Sequence, residues 1–492
     1  TMELGWVEDY EQIQGVIWCP GTGQTGFNAL GDILTGAVNP SGKTADTFVY
    51  DLTATPYFNN IGSTEYTNLD EFYYEDGGYQ PCFVNYVEGI YVGYRFYETA
   101  AAEGLIDYDS TVQYPFGYGL SYTEFTQEIS NVSTTDGVIT FDVTVTNTGT
   151  VAGKDVVEVY YNPPYYNGGI EKSTANLVTY TKTDTLEPGT SETVSVSFNA
   201  EDMASYDTYG AGCYVLEAGD YTISINSDSH TVLDSFTYAV DETITYDEDN
   251  PRSTDLVAAV NQFDYAEGDV NYLSRANGFA NYAEAVAAPA STEMSEDLKA
   301  DFVNNSNAYE YVAAQATGEE EMPTTGASNG VTLSDLRGLD YDDPLWDDLL
   351  DEMTVSDMNS LISLGGYQTA AVSSIGKVQT VDCDGPASIN NNFTGEGSVG
   401  FPSAVIIANS WNTDLALAFG ESIGKMADEM DVSGWYAPAM NTHRSAFAGR
   451  NFEYYSEDGV LSGTMAANAL IGADEYGVYG YIKHFALNDQ ET

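Results

Sequence analysis

Five polar side chains in the last quarter of the chain are of types, and at positions, that are typical of catalytic or binding sites. Asp384 follows one apolar stretch typical of a buried strand, and Lys483 and His484 follow another. A guanidinium at Arg450, or at Arg444, lies between them in the sequence. A carboxylate, a guanidinium, an ammonium and an imidazole at one opening could bind several hydroxyl groups through charge-assisted hydrogen bonds, as recognition of a sugar ring requires.

These residues also have a purely structural interpretation, which the sequence leaves equally open. Arg450 could pair with Glu453 or Glu457, and Asp384 could cap a helix. Two tryptophans near these residues, Trp411 and Trp435, are better interpreted as packing than as sugar contacts. Active sites of α/β proteins form where parallel strands end, so the hypothesis of a site depends on the surrounding elements.

The elements that must position these residues begin near residue 336 and alternate between helix and strand patterns. Thr354, with Asp357 three residues later, predicts the capped start of a helix. Alternation of this kind is typical of a parallel βα protein. The predicted elements are a strand at 378–383, a helix at 412–430, a strand at 435–438, a helix at 458–471 closed by Gly472, and a strand at 478–482.

The preceding two thirds of the chain divide into three further parts. Residues 1–128 have a mixed α/β pattern, with a buried strand predicted at 16–20 and a helix at 28–36; the Gly-rich turn between them lacks the Lys-Ser/Thr of a phosphate-binding loop. Residues 129–237 alternate apolar and polar side chains between turn signals, which predicts a β-sandwich of immunoglobulin or fibronectin type III kind. Residues 238–335 form an acidic, turn-rich connector with some helix.

Composition excludes several classes of protein. The 14 Lys and Arg against 76 Asp and Glu give a net charge of −62 with no basic cluster, so a nucleic-acid partner is not expected. Four dispersed cysteines do not form a zinc motif, and the sequence leaves their disulfide state open. No apolar run is long enough to span a membrane. The acidic surface favours an extracellular or cell-surface location, and nothing indicates an oligomeric state.

Three motifs near the end of the chain resemble those of glycoside hydrolase family 3, the β-glucosidase group. Their order and spacing match the N-terminal (β/α)8-type barrel of that family, and Asn441 with Arg444 fits the same pattern. Segments before residue 128 also resemble the family, at the end of its α/β-sandwich domain and the approach to its fibronectin-type domain. The barrel motifs are Asp384-Gly385-Pro386, Gly449-Arg450-Asn451-Phe452-Glu453-Tyr454 with Ser456-Glu457-Asp458, and Lys483-His484-Phe485-Ala486 with Asn488, Gln490 and Glu491.

The resemblance implies a multidomain α/β plus β fold in reversed order: part of the α/β-sandwich at 1–128, the fibronectin type III-like domain at 129–237, the connector at 238–335, and the N-terminal part of the barrel at 336–492. It implies retaining hydrolysis of terminal β-D-glucosyl residues, with a β-glucoside or oligosaccharide as substrate and no metal or cofactor.

By the same resemblance, Asp384, Arg450, Lys483 and His484 would bind the substrate. The family's nucleophilic Asp and acid/base Glu are expected beyond the two ends of the chain, so residues 1–492 alone are expected to be inactive. Two alternatives stay open: a non-catalytic carbohydrate-binding or cell-surface protein, and a β-xylosidase-type specificity.

Overall fold

The computed structural model combines mixed α/β parts with a two-sheet β domain, and the predicted multidomain α/β plus β fold is confirmed. One apolar core joins the parts, since Tyr94, Leu177 and Trp435 belong to a single cluster of buried side chains. The structure describes residues 1–62, 64–69, 81–262, 270–299, 322–391, 395, 397–484 and 488.

Among its described residues the first part contains short strands, three α-helices and an aromatic core. Tyr91 and Phe96 pack there against Phe279 of the connector. Its elements are α1 (Gly26–Leu34), β1 (Phe48–Val49), β2 (Thr64–Glu65), β3 (Cys82–Phe83), α2 (Tyr94–Ala102), α3 (Tyr108–Thr111) and β4 (Val112–Tyr114); β1 pairs with β4 and β2 with β3, both antiparallel.

The helix predicted at 28–36 is confirmed as α1, which begins two residues earlier and ends before Gly36. The strand predicted at 16–20 is wrong. Val16 and Ile17 are each 46% exposed, and the segment pairs with no described strand. An apolar run becomes a strand only where another strand accepts its backbone hydrogen bonds.

The second part is the predicted β-sandwich. Its two facing sheets have strand orders β5-β6-β9 and β13-β12-β7-β8, all antiparallel, and alternate side chains such as Ile139, Phe141 and Val143 fill the core between them. A small third sheet has the order β10-β11-β14. The strands are β5 (Phe125–Thr135), β6 (Val138–Asn147), β7 (Val156–Asn162), β8 (Asn176–Lys182), β9 (Ser191–Asn199), β10 (Ser205–Tyr206), β11 (Tyr214–Leu216), β12 (Gly219–Asn226), β13 (Val232–Val240) and β14 (Ile244–Tyr246).

The connector packs on the first part where the structure describes it. Its one-turn helices are α4 (Ala276–Phe279) and α5 (Tyr282–Ala285). The side chain of Asn60 donates to the Ala287 carbonyl, and that of Asn68 donates to the Met294 carbonyl. These contacts agree with the expected partly packed connector; the acidic stretch 319–321 lies outside the described residues.

The last part has the predicted alternation of strands and helices. Thr354 and Asp357 form the predicted capping box. Strands β16, β17 and β18 are parallel neighbours, and β15 adds antiparallel to β16. The elements are α6 (Leu345–Asp351), α7 (Val355–Ser363), β15 (Gln368–Thr369), β16 (Thr380–Cys383), α8 (Ala404–Asn409), α9 (Thr413–Glu429), β17 (Gly434–Trp435), α10 (Gly459–Asp474) and β18 (Tyr479–Gly480).

Gly472 does not end α10, contrary to the prediction, because the helix continues to Asp474. Gly472 is instead a contact between helices: a Cβ there would lie 2.3 Å from the Leu417 carbonyl oxygen of α9. Trp411 and Trp435 are fully buried, as the packing interpretation predicted. Within the described part of the chain, no helix has both the length and the apolar character that a membrane crossing requires.

Polar contacts tie the first part, the β-sandwich and the last part together. The side-chain nitrogen of Lys182 on β8 donates to the carbonyls of Ser41, at 2.7 Å, and Ser410, at 2.5 Å. The Asn409 side chain, at the end of α8, accepts from the backbone N–H of Ala45 at 3.0 Å. The first part and the β-sandwich therefore help to hold in place the elements that carry the candidate site.

Candidate functional site

The candidate residues lie where the parallel strands end. Asp384 directly follows β16, and Lys483 lies three residues beyond β18, where it forms a parallel bridge with Ala439. Because β16, β17 and β18 run in parallel in register, their carboxyl ends meet at one edge. Side chains 99 positions apart in the sequence are thereby brought into contact.

A cation joins two carboxylates at this edge. The Lys483 ammonium donates to Asp384 Oδ1 at 2.9 Å and lies 3.6 Å from Glu453 Oε2. Glu453 in turn accepts from Arg450 through two parallel bonds, Nε to Oε1 at 2.9 Å and Nη2 to Oε2 at 2.7 Å. The Lys483 side chain is 14% exposed and that of Asp384 is 32% exposed, so the cluster is open to solvent at the carboxylate.

Hydrogen bonds fix the ionised form of Asp384. Burial alone would raise the pKa of this carboxyl, but donation from Lys483, from the Gly385 N–H at 2.8 Å and from the Tyr367 hydroxyl at 3.3 Å lowers it below its ordinary value. Asp384 therefore carries a negative charge at neutral pH. Asp384 caps none of the described helices, so the interpretation of Asp384 as a helix cap is wrong.

His484 is oriented by two residues. Its backbone N–H donates to Asn441 Oδ1 at 2.6 Å, and its carbonyl accepts from Asn441 Nδ2 at 3.0 Å. Its ring Nδ1 lies 2.9 Å from the Tyr454 hydroxyl. That hydroxyl also accepts from the Asn488 amide at 2.8 Å. The imidazole is thus held beside Lys483 in a defined orientation.

Aromatic rings line the same edge. Tyr367 stacks on Tyr436 with ring centroids 4.8 Å apart, and Tyr481 meets Tyr436 edge to face at 4.7 Å. The buried Asp382 of β16 accepts from the hydroxyls of Tyr479 at 2.8 Å and Tyr481 at 3.0 Å. Burial and these hydrogen bonds raise the pKa of the Tyr481 hydroxyl, so it stays protonated and donates. Rigid phenols therefore brace the strand that precedes Asp384.

The structure brings Asp384, Lys483 and Glu453 into direct contact and places Arg450 behind Glu453. The pairing of Arg450 with Glu453, proposed as the structural alternative, is therefore present within the same cluster. Arg444 is not part of it. The Arg444 guanidinium donates twice to Glu88 of the first part, both at 3.0 Å, and its side chain is 4% exposed.

Sequence reasoning missed three residues of the cluster as site residues. Glu453 belongs to one of the sequence motifs but is expected there only to pair with Arg450, and Tyr367 belongs to none of the motifs. Asn441 belonged to a noted motif, but its contact with His484 follows from tertiary structure alone. Within the described ranges no cluster of three His, Cys, Asp or Glu side chains could hold a metal ion, and no disulfide links the four cysteines.

Comparison with known families gives three matches in order along the chain. Residues 1–122 match the glycosyl hydrolase family 3 C-terminal domain, and residues 155–229 match a fibronectin type III-like domain. Residues 377–491, which include the whole candidate cluster from Asp384 onward, match the glycosyl hydrolase family 3 N-terminal domain. The C-terminal domain of the family thus precedes the N-terminal one, as the sequence motifs indicated.

Known relatives span the whole chain. β-Glucosidase A of Butyrivibrio fibrisolvens is 32% identical over 516 residues, which include 100% of this chain and 58% of the relative. A β-glucosidase of Ruminococcus albus is 29% identical over 100% of this chain and 47% of its own length. The crystal structure of a β-glucosidase from Paenibacillus barengoltzii superposes with a TM-score of 0.68 at 26% identity, covering 95% of this chain and 48% of that one.

The chain spans about half the length of the curated relatives it matches. Family domains occupy both its ends, and the fold, the reversed order and the motifs agree with one another. The chain therefore carries matches to the C-terminal and N-terminal domains of glycosyl hydrolase family 3, in that order, with a fibronectin type III-like domain between them.

Proposed function

We propose that this chain forms the sugar-holding side of the active site of a retaining β-glucosidase, and that Asp384, Arg450, Lys483 and His484 bind the terminal β-D-glucosyl residue. The observation that carries the proposal is the 2.9 Å ion pair between Lys483 and Asp384, half-open to solvent at the carboxyl ends of parallel strands. The β-glucosidases of Butyrivibrio fibrisolvens and Ruminococcus albus support the choice of substrate.

The chemistry of the cluster suits a ring with several hydroxyl groups. An ionised Asp384 would accept from neighbouring hydroxyls, and Lys483 and Arg450 would donate to hydroxyl oxygens, so several of the sugar's hydroxyls would meet a charged partner. Hydrogen bonds to charged groups contribute about 1.5–3 kcal/mol each. Glu453 contacts both cations and so fixes where the ammonium and the guanidinium lie. A ligand that lacks the matching hydroxyls would leave these groups unpaired and bind poorly.

Asp384 binds the sugar in this proposal and does not transfer protons. A general acid must be protonated at working pH, and glycosidases achieve this by raising the pKa of the acid. The pKa of Asp384 is shifted the other way by its donors. We assign neither the nucleophile nor the acid/base of the retaining mechanism to residues 1–492.

Binding of D-glucose tests the proposal directly. We expect Asp384→Asn to weaken the affinity for D-glucose by about ten- to a hundredfold, since it removes a charged acceptor and its pairing with Lys483. Asp255→Asn is the matched control, because Asp255 forms a comparable 2.8 Å ion pair with Arg252 away from the cluster. Isothermal titration and ¹H–¹⁵N spectra measure affinity and folding together.

An unchanged affinity in a folded Asp384→Asn variant would contradict the proposal. D-xylose serves as the competitor that tests specificity: equal binding of both sugars would favour a β-xylosidase-type site instead. We expect D-glucose to bind more tightly, because its additional hydroxymethyl group adds one hydrogen-bonding partner for the cluster.

A further inference from the structure

A cavity of about 550 Å³ lies between the first part of the chain and the β-sandwich, away from the candidate cluster. One wall is α2, through Glu98, Ala101 and Ala102, which share one face of the helix. The other wall is the sheet β13-β12-β7-β8. The Thr174 N–H, just before β8, donates to the Thr99 hydroxyl of α2 at 3.0 Å and joins the two walls. Sites for small molecules enclose about 300–1,000 Å³, so this cavity has the size of a ligand site.

The alternation of side chains along β12 creates the wall formed by the sheet. Ile223 and Ile225 belong to the core of the sandwich, so the residues before, between and after them face the other way. These residues are Thr222, Ser224 and Asn226, and all three line the cavity. At about 3.3 Å per residue, this row of two hydroxyls and one amide is about 13 Å long. Such a row suits an extended ligand that carries several hydrogen-bonding groups.

Asn226 indicates what such a ligand must offer. The residue is 3% exposed, and its Oδ1 accepts no hydrogen bond from any residue that the structure describes. A buried acceptor without a donor destabilises the folded state. Because Asn226 lines the cavity, a bound molecule with a hydroxyl group would supply the missing donor. The cavity therefore favours a ligand that donates hydrogen bonds.

The acidic residue of the α2 wall is already engaged by its neighbours. Glu98 accepts from the Tyr108 hydroxyl at 2.7 Å and from the Ser229 hydroxyl at 3.0 Å, and its other oxygen lies 2.9 Å from His230 Nδ1. The His230 ring stacks on Tyr108 with ring centroids 3.7 Å apart, and its side chain is 43% exposed. The imidazole is thus fixed in place, with part of its surface open to the cavity.

The charges around the cavity favour a neutral ligand. None of its described lining residues is Lys or Arg, and the chain carries a net charge of −62, so an anion would be repelled. A cation would find the oxygens of Glu98 occupied. The hydroxyls and amides of the sheet wall both donate and accept, and the methyl groups of Ala101 and Ala102 lie opposite them. A sugar, with hydroxyl groups at its edge and C–H groups on its faces, matches this combination.

We propose that this cavity is a second binding site, which takes a neutral carbohydrate of about two sugar rings. The site is argued from its own residues and does not depend on the candidate cluster. The choice of β-linked glucose as the probe rests on the proposed function above. Binding of this kind would retain an oligosaccharide on the protein while the candidate cluster holds a separate sugar.

Histidine signals in nuclear magnetic resonance can report the two sites separately. Of the 3 His in the chain, His230 lines the cavity and His484 belongs to the candidate cluster. We expect the ring C–H signals of His230, assigned through His230→Gln, to shift and saturate as cellobiose is added at constant pH. The dissociation constant from His230 should be the same in wild type and in Asp384→Asn. A His230 signal that does not move would overturn the proposal, whereas a His484 signal that does not move counts against the proposed function alone.

Two variants show whether the shift of His230 arises in the cavity. Asn226→Leu keeps the shape of the side chain and removes the buried carbonyl, so the affinity for cellobiose should fall by about tenfold or more. Ala102→Phe fills the cavity from an exposed position of α2 and should abolish the shift. Ala467→Phe, at an exposed position of α10, is the matched control and should leave the shift unchanged. The proposal is wrong if either folded cavity variant binds cellobiose as the wild type does, and Ala102→Phe decides alone should Asn226→Leu not fold.

Discussion

The substitution of glycine by alanine is expected to change the stability of the helix pair behind the candidate site in opposite directions at two positions. Gly420 lies in α9 where α10 crosses it, and a Cβ there would lie 1.9 Å from the Ala469 carbonyl oxygen and 2.7 Å from its carbon. Gly463 lies inside α10, and a Cβ there would meet nothing within 4 Å. The two helices share the apolar core with Trp435 of β17, so their separation affects the strands that carry the cluster.

The surroundings of each glycine determine the direction and the size of the change in stability. At Gly463 alanine restricts the unfolded chain and costs no contact, so we expect a stabilisation of about 0.5–1 kcal/mol. At Gly420 the new methyl group would lie more than an ångström inside ordinary contact with backbone atoms, which cannot rotate away as a side chain could. Overpacking of this kind costs about 1–3 kcal/mol. The two variants should therefore differ by roughly 1.5–4 kcal/mol in the stability of this helix pair.

Native-state hydrogen exchange measured by mass spectrometry is the appropriate assay, because a multidomain chain does not unfold in one step. We expect peptides from α9 and α10 to exchange faster in Gly420→Ala and slower in Gly463→Ala. Peptides from the β-sandwich serve as the internal control and should not change. If both variants slow exchange in α9, the close crossing of the two helices is not present in solution and the packing argument fails.

Three further predictions concern charged side chains. Lys483→Met should raise the pKa of Asp384, measured by ¹³C chemical shifts of the carboxyl, because it removes a donor that stabilises the ionised form; an unchanged pKa would mean that the ion pair does not form. Arg450→Lys should weaken glucose binding by about tenfold, since lysine cannot make the two parallel bonds to Glu453; calorimetry that shows equal affinity would contradict this. Burial, with repulsion from Lys154 second, lowers the pKa of Lys182 to about 7. Between pH 7 and pH 10.5 the lysine is neutral in the folded protein and charged in the unfolded chain. A rise in pH should therefore increase the free energy of unfolding of the wild type relative to Lys182→Met by up to about 1.4 kcal/mol per pH unit. Curves of unfolding free energy against pH that run parallel for the two proteins would refute the shift.

The predictions that succeeded depend on short-range patterns. The helix start at Val355 follows from the cap at Thr354, whose side chain accepts from the backbone N–H of the residue three positions later. The strands of the β-sandwich follow from alternation of apolar and polar side chains, which one face of a sheet imposes directly. The location of Asp384 and Lys483 at strand ends likewise needed only the order of the elements.

The failures concern partners distant in the sequence. Arg444 has a charged side chain and lies in a sequence motif next to the site, yet it pairs with Glu88, which lies 356 positions away. Gly472 resembles a helix terminator because glycine commonly follows the last turn of a helix. It lies inside α10 instead, because α9 packs so closely there that a Cβ would clash with its backbone. The segment 16–20 has the apolar side chains of a strand but no neighbouring strand. In each case the deciding contact comes from an element that no local pattern specifies.

Cations are scarce in this chain, and several of them form ion pairs both inside and outside the candidate site. In the described part of the chain, Lys43, Arg95 and Arg444 pair with carboxylates that are at most 3% exposed, which marks them as structural ties between parts of the chain. Lys483 differs in its partner, because the Asp384 carboxylate is 32% exposed while the ammonium itself is 14% exposed. A buried cation that holds a carboxylate at the surface leaves oxygen atoms available to a ligand, whereas a cation whose partner is buried does not. Exposure of the partner therefore distinguishes the Lys483–Asp384 pair from these three ion pairs.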